Sequence, residues 1–134
     1  MASRIRLETA AAPPPPSFMS QGIRKGSIVQ VTGQGPVDSA TGEFVGQKDI
    51  EAQTIKVLEN VEAILHAGGA TFRDVLVVRA YLTTRDNYDR MNATYEAFLS
   101  ERLGGEPFPA RTCVMTGLPN AAMLVEIDAL AVVE

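Results

Sequence analysis

The spacing of apolar residues divides the chain into strands and helices. Ile28–Thr32 reads as a strand, and the runs Gly33-Gln-Gly-Pro and Asp38-Ser-Ala-Thr-Gly supply turn chemistry for a hairpin after it. From Asp49 the period lengthens. Ile50, Thr54, Val57, Leu58, Val61, Ile64 and Leu65 recur every three or four residues, which predicts an amphipathic helix with Asp49 as its N-cap and Gly68 as its stop. Val75–Leu82 is then an almost continuous apolar run with β-branched residues, the pattern of a strand buried on both faces and central in a sheet. A second helix is predicted over Asp86–Arg102. Its inner stripe is Tyr88, Met91, Tyr95, Phe98 and Leu99, and Gly104-Gly105 ends it.

The last third of the chain carries the candidate chemistry. Read as strands, Arg111, Cys113 and Met115 share one face, and Leu124, Glu126, Asp128 and Leu130 share a face of the strand that follows. A turn near Pro119 and Asn120 would join them as a hairpin, with Cys113 across from Glu126 and Arg111 across from Asp128. A one-residue slip of register would break the grouping. A guanidinium can clamp a carboxylate through two parallel hydrogen bonds, and a nearby glutamate can orient water or move a proton. Those parts suit a small anionic substrate. The same spacing fits equally well a cross-strand ion pair that only fixes register.

Two helices can cover one face of a sheet, yet Val75–Leu82 and Val125–Val133 read as apolar on both. The uncovered face needs a partner, and self-association is the economical one. The expected architecture is a single α+β domain, a mixed sheet with two helices on one face, over residues 17–134. Residues 1–16, ending in four prolines, are expected to form an extended arm ahead of it.

Composition narrows the function classes. A formal charge of -4 with no basic run argues against a nucleic-acid platform and gives a nuclease role no support. The single cysteine excludes an intrachain disulfide and fits a reducing compartment. The first sixteen residues hold no signal-peptide core and no apolar run is long enough to span a bilayer, so a cytoplasmic protein without a membrane partner is expected. One histidine and one cysteine cannot build a usual zinc site; His66, late in the first helix, suits a surface or helix-terminal charge. The Gly33-Gln-Gly-Pro turn lacks the lysine and hydroxyl residue of a phosphate-binding loop, and no motif supports a Ser-His-Asp triad. Neither a metal nor another cofactor is expected. Cys113 reads as a small buried strand residue, its backbone amide mattering more than its sulfur.

The run Pro109-Ala-Arg-Thr-Cys-Val, then Leu118-Pro and Val125-Glu-Ile, resembles the C-terminal signature of the RidA (YjgF) family of reactive-intermediate deaminases. Val31-Thr-Gly-Gln, Asp38-Ser-Ala-Thr-Gly-Glu, Ile50-Glu-Ala-Gln-Thr, Leu58-Glu-Asn-Val, Ala67-Gly-Gly-Ala and Met91-Asn-Ala-Thr-Tyr-Glu-Ala-Phe follow in the family's order, so the resemblance extends from about Ser20 onward. It implies a chorismate-mutase-like fold assembled as a trimeric barrel, with sites between subunits and no cofactor. It also implies hydrolysis of 2-imino or 2-enamino acids to 2-keto acids and ammonia. Arg111 would hold the substrate carboxylate with help from the Cys113 amide. Glu126 would orient or activate water. Gly33 would approach the ligand with its backbone, and Thr32, Asn92 and Phe18 would complete the wall. The chain departs from the pattern at Phe18 and Met19, which stand where similar proteins carry proline and tyrosine, and at Thr32, where they often carry serine. These departures suggest a divergent subgroup. A deaminase for a larger enamine, of aminomuconate type, and a non-catalytic trimer that binds small carboxylates or a protein partner are the alternatives.

Overall fold

The helix predicted from Asp49 runs as α1, Ile50–Ala67, in the computed structural model, which describes residues 2–134. The Asp49 carboxylate accepts from the amides of Glu51 and Ala52, satisfying two of the donors that a helix start leaves unpaired. Gly68 returns its amide to Ile64 and Leu65 at the other end. The second helix, α2, begins slightly later than predicted, at Tyr88–Leu103, because Arg85–Asn87 forms a turn of 3-10 helix. Gly104 ends α2 in the left-handed conformation, which a residue without Cβ adopts at little cost.

Six strands form one sheet: β1 (Arg4–Leu7), β2 (Gly22–Lys25), β3 (Ile28–Gln34), β4 (Val75–Leu82), β5 (Ala110–Met115) and β6 (Val125–Val132). Their spatial order is β1-β2-β3-β6-β4-β5, antiparallel throughout except for the parallel β4–β5 pair. The architecture is the expected mixed sheet of an α+β domain. Three local expectations are corrected. Arg4–Leu7, expected within a lead-in arm, is an edge strand paired with β2. The turn residues after β3 lead to an isolated bridge between Val37 and Phe44 rather than a hairpin strand.

The third correction bears on function. β5 and β6 do not form a hairpin, because β4 lies between them. Residue Ala80 of β4 has Cys113 on one side and Ile127 on the other, and Tyr81 stands beside Glu126. A parallel neighbour needs a crossover, and α2 supplies it between β4 and β5.

The core lies between the sheet and the two helices. Val29 and Val31 of β3, Val78, Ala80 and Leu82 of β4, and Val125, Ile127, Ala129 and Ala131 of β6 point into it and are fully buried. From α1 and α2 it takes Val57, Leu58, Val61, Ile64, Leu65, Met91 and Leu99. The opposite face carries Gln30, Thr32, Arg79, Tyr81, Glu126, Asp128 and Leu130, and no element among the described residues covers it. β4 is therefore buried on one face within a single chain, not two. At Leu76 a register shift against β6 turns the side chain out, leaving it 56% exposed.

Candidate active site

Arg111 and Glu126 lie on opposite faces of the sheet. Arg111 pairs with Val78, whose side chain points toward the helices, whereas Glu126 pairs with Tyr81 on the uncovered face. The sequence-based expectation of one shared surface fails because β4 intervenes, and the cross-strand partner of Asp128 is Arg79, not Arg111. Arg79 Nε donates to Asp128 Oδ1 at 2.8 Å, and the Tyr81 hydroxyl donates to Oδ2 at 3.2 Å. The chain thus presents two half-sites, back to back.

The first half-site is built on β5 and α2. Tyr88, Met91 and Tyr95 recur at helical spacing on one side of α2, and the Arg111 guanidinium rests on them. Its carbon lies 5.0 Å from the centre of the Tyr95 ring and 5.9 Å from that of Tyr88, within cation–π range. One nitrogen donates to the Tyr88 hydroxyl at 3.5 Å and another approaches the Met91 sulfur at 4.0 Å. Among the described residues Arg111 makes no ion pair. A half-buried cation held by rings and lacking a carboxylate is poised for an anion from outside the chain.

Neighbouring groups are tuned by burial. The Tyr95 phenol is pushed up to about 12 by burial, against a smaller downward pull from Arg111. The Cys113 thiol is raised for the same reason, with the same partial offset. That disfavours the thiolate and agrees with a structural sulfur. The Tyr95 hydroxyl and Asn92 Oδ1 are shielded and have no hydrogen-bond partner among the described residues.

The second half-site gathers Thr32, Gly33 and Glu126 at the end of β3 beside β6. A Cβ on Gly33 would collide with the Glu126 carboxylate, so glycine is what lets the carboxylate lie against the backbone. Thr32 Oγ1 donates to the Ser20 carbonyl at 2.6 Å and its amide to Gln21 O at 2.9 Å, tethering the segment that follows Phe18. Phe18 itself is 83% exposed and packs on neither half-site. Burial raises the Glu126 pKa above the ordinary glutamate range, and the negative charge of Asp128 raises it further.

Both flanking loops hang from buried amides of α1. Gln53 donates to Ala122 O at 2.8 Å and accepts from the Leu124 amide at 2.8 Å; Asn60 donates to Gly35 O at 3.2 Å and Val37 O at 2.9 Å. Sequence reasoning missed these anchors, and it read Tyr88 and Met91 only as core stripe. The spacing 88, 91, 95 was the available signal for the platform; its partner became visible only with the strand order.

A hollow of about 520 Å³ lies elsewhere, lined by Thr9, Ala12, Pro14, Gln21 and Ser39. No three His, Cys, Asp or Glu side chains among the described residues are grouped as metal ligands, and no helix is long and apolar enough to cross a membrane.

A mixed sheet of six strands backed by two helices, with a ring-mounted arginine on one face and a glutamate on the other, defines an α+β domain with the architecture of YjgF/RidA structures. Residues 9–133 match the family model described as Endoribonuclease L-PSP, and the chain belongs to this family, the YjgF/RidA family. It is 39% identical to a RutC family protein of Pyrococcus horikoshii, covering 92% of this chain and 93% of that one. It is 37% identical to the 2-iminobutanoate/2-iminopropanoate deaminase of Salmonella typhimurium, over 98% of each chain. Among solved structures, E. coli TdcF with bound serine superposes with a TM-score of 0.90 at 32% identity, covering 97% of this chain and 99% of that one.

Proposed function

We propose that this protein hydrolyses reactive 2-imino or 2-enamino acids to 2-keto acids and ammonia, as a cytoplasmic homotrimer in which the Arg111 face of one chain meets the Glu126 face of the next. The observation that carries the reading is the back-to-back placement itself. An arginine without an anion and a glutamate with a raised pKa occupy opposite faces of one sheet, the second of them bare. Repeating the chain around a closed axis brings the two groups together and covers the bare face. The deaminase name of the Salmonella relative and the serine bound to TdcF, a small amino acid, support a small carboxylate ligand.

In this reading Arg111 holds the substrate carboxylate through a two-pronged contact. The Cys113 amide assists. The Thr116 amide bonds Leu82 O on β4 at 2.8 Å, and alternation along the strand turns the Cys113 N–H to the free edge of β5. Glu126 accepts a proton from water as the oxygen attacks the iminium carbon. The resulting carbinolamine takes that proton on nitrogen and expels ammonia as its hydroxyl gives up a proton to water, leaving the keto group. A glutamate of raised pKa serves both transfers better near neutrality than an ordinary one. Gly33 leaves room for the carboxylate, while Thr32, Asn92 and Phe18 line the cleft once chains assemble. Imines already hydrolyse in water, so positioning and one acid-base group suffice, with no cofactor.

The test is release of 2-keto acid from 2-imino acids generated in place by an amino-acid oxidase, with semicarbazide as competing trap. Wild type accelerates release and Arg111→Ala does not. No acceleration with small or aromatic imino acids would overturn the reading. A second reading, deamination of a larger enamine, is favoured by Phe18 and Met19, both exposed and lacking a hydroxyl where a small polar substrate would be gripped. A non-catalytic carboxylate-binding trimer would leave Glu126→Gln without effect.

A further inference from the structure

Resting on that reading, we infer that Tyr88 is a substrate-binding residue: its hydroxyl is a further hydrogen-bond donor to the carboxylate that Arg111 holds. A guanidinium has only donors, so in the 3.5 Å contact between Arg111 Nη2 and the Tyr88 hydroxyl the tyrosine oxygen accepts. The phenolic proton is then turned away from Arg111. It has no acceptor among the hydrogen bonds of the described residues.

Exposure separates the two tyrosines of the platform. Tyr95 is 6% exposed and its hydroxyl is sealed within the fold, whereas Tyr88 is 37% exposed. Only Tyr88 can present its proton on the open side of the guanidinium. A carboxylate that docks on Arg111 has two oxygens, with about four acceptor positions, so taking two guanidinium donors and the Cys113 amide still leaves capacity for one more donor. The Tyr88 hydroxyl stands beside that place. Tyr95 and Met91 hold the guanidinium from beneath, at 5.0 Å and 4.0 Å, and Tyr88 flanks it. With the Cys113 amide, the half-site therefore recognises a planar anion by four converging donors, two of them neutral.

Tyr88→Phe keeps the ring and removes only the hydroxyl. Binding of 2-oxobutanoate, used as a keto analogue, to the assembled full-length protein is measured by calorimetry, alongside turnover in the semicarbazide assay. We expect a dissociation constant and a KM each raised roughly tenfold, the size of one lost hydrogen bond to a charged group, with kcat within about twofold. Tyr88→Ala, which also removes the flanking ring, weakens binding further. If Arg111→Ala loses binding but Tyr88→Phe binds like wild type, the inference about Tyr88 is overturned and the Arg111 reading stands. If Arg111→Ala binds like wild type, both fall. A fall in kcat at unchanged KM and binding would also overturn it, since a ground-state carboxylate contact predicts the reverse.

Discussion

Gly33 and Glu126 approach so closely that a single methyl group on the glycine would occupy the space of the carboxylate. The contact joins β3 to β6 beside a register shift between Val31 and Gln34. The obstacle is the end of a side chain rather than backbone. Gly33→Ala is therefore expected to fold, with stability changed by no more than about 1 kcal/mol, while Glu126 is displaced and turnover falls by roughly 100-fold. Thermal melting beside the imine assay checks both halves; full activity in the alanine variant would count against the role of Glu126.

Because Arg111 and Glu126 sit on opposite faces, two inactive variants should repair one another. Arg111→Ala and Glu126→Gln chains, unfolded together and reassembled in equal amounts, form sites with one intact group from each. Random mixing in a closed ring makes about one site in four fully intact. About a quarter of wild-type activity is expected from the mixture and none from either variant alone. No recovery in a mixture shown by mass spectrometry to contain hybrid trimers would exclude a shared site.

The raised pKa of Glu126 has a cost in stability, and its sign can be worked through. Between the unfolded and folded pKa values the folded chain binds the proton more tightly, so the favourable contribution is complete below the unfolded value. It is lost as pH rises through the folded value. At pH 7 the buried carboxylate is therefore a burden. Glu126→Gln should melt higher than wild type there, and the gap should close in acid. A gap unchanged by pH would show that ionisation is not its source. Asp128→Asn should move the acid limb of the rate profile only modestly to lower pH, because burial outweighs the Asp128 charge.

The hydroxyl of Tyr95 is buried without a partner among the described residues, while its ring supports Arg111. Tyr95→Phe removes a group that burial penalises and keeps the cation–π contact, so stability should be equal or higher and ligand binding retained. Denaturant unfolding decides it: a loss of more than about 1 kcal/mol would mean the hydroxyl is satisfied in the assembled protein.

Much of this was legible in the sequence. Period and capping chemistry located α1, with Asp49 and Gly68 at its ends, and alternation put Arg111 with Cys113 and Glu126 with Asp128. What alternation cannot supply is the neighbour. A period of two says which residues share a face of a strand, and nothing about which strand lies beside it. Proximity in sequence favoured a β5–β6 hairpin; the true signal was the succession β4, α2, β5, which predicts parallel neighbours joined by a crossover. With β4 placed there, Arg79 takes Asp128 and leaves Arg111 without an ion pair among the described residues. The anchors Gln53 and Asn60 escaped because buried amides on a helix leave no periodic trace.

Those anchors yield a fifth expectation. Asn60→Ala strips two backbone carbonyls of their donor in a buried place, and a loss of about 1–3 kcal/mol is expected, measured by denaturant unfolding. An unchanged unfolding midpoint would mean that the loop carbonyls find water instead.

Gln53 and Asn60 grip only main-chain atoms of the loops they hold: Gly46 O, Ala122 O and Leu124 N for one, Gly35 O and Val37 O for the other. Nothing in those contacts depends on which side chains the loops carry. The fold thereby separates the heritable shape of the cleft from its chemical lining. Loop residues can be exchanged during evolution, and the range of substrates can drift, without reopening the problem of how the chain folds.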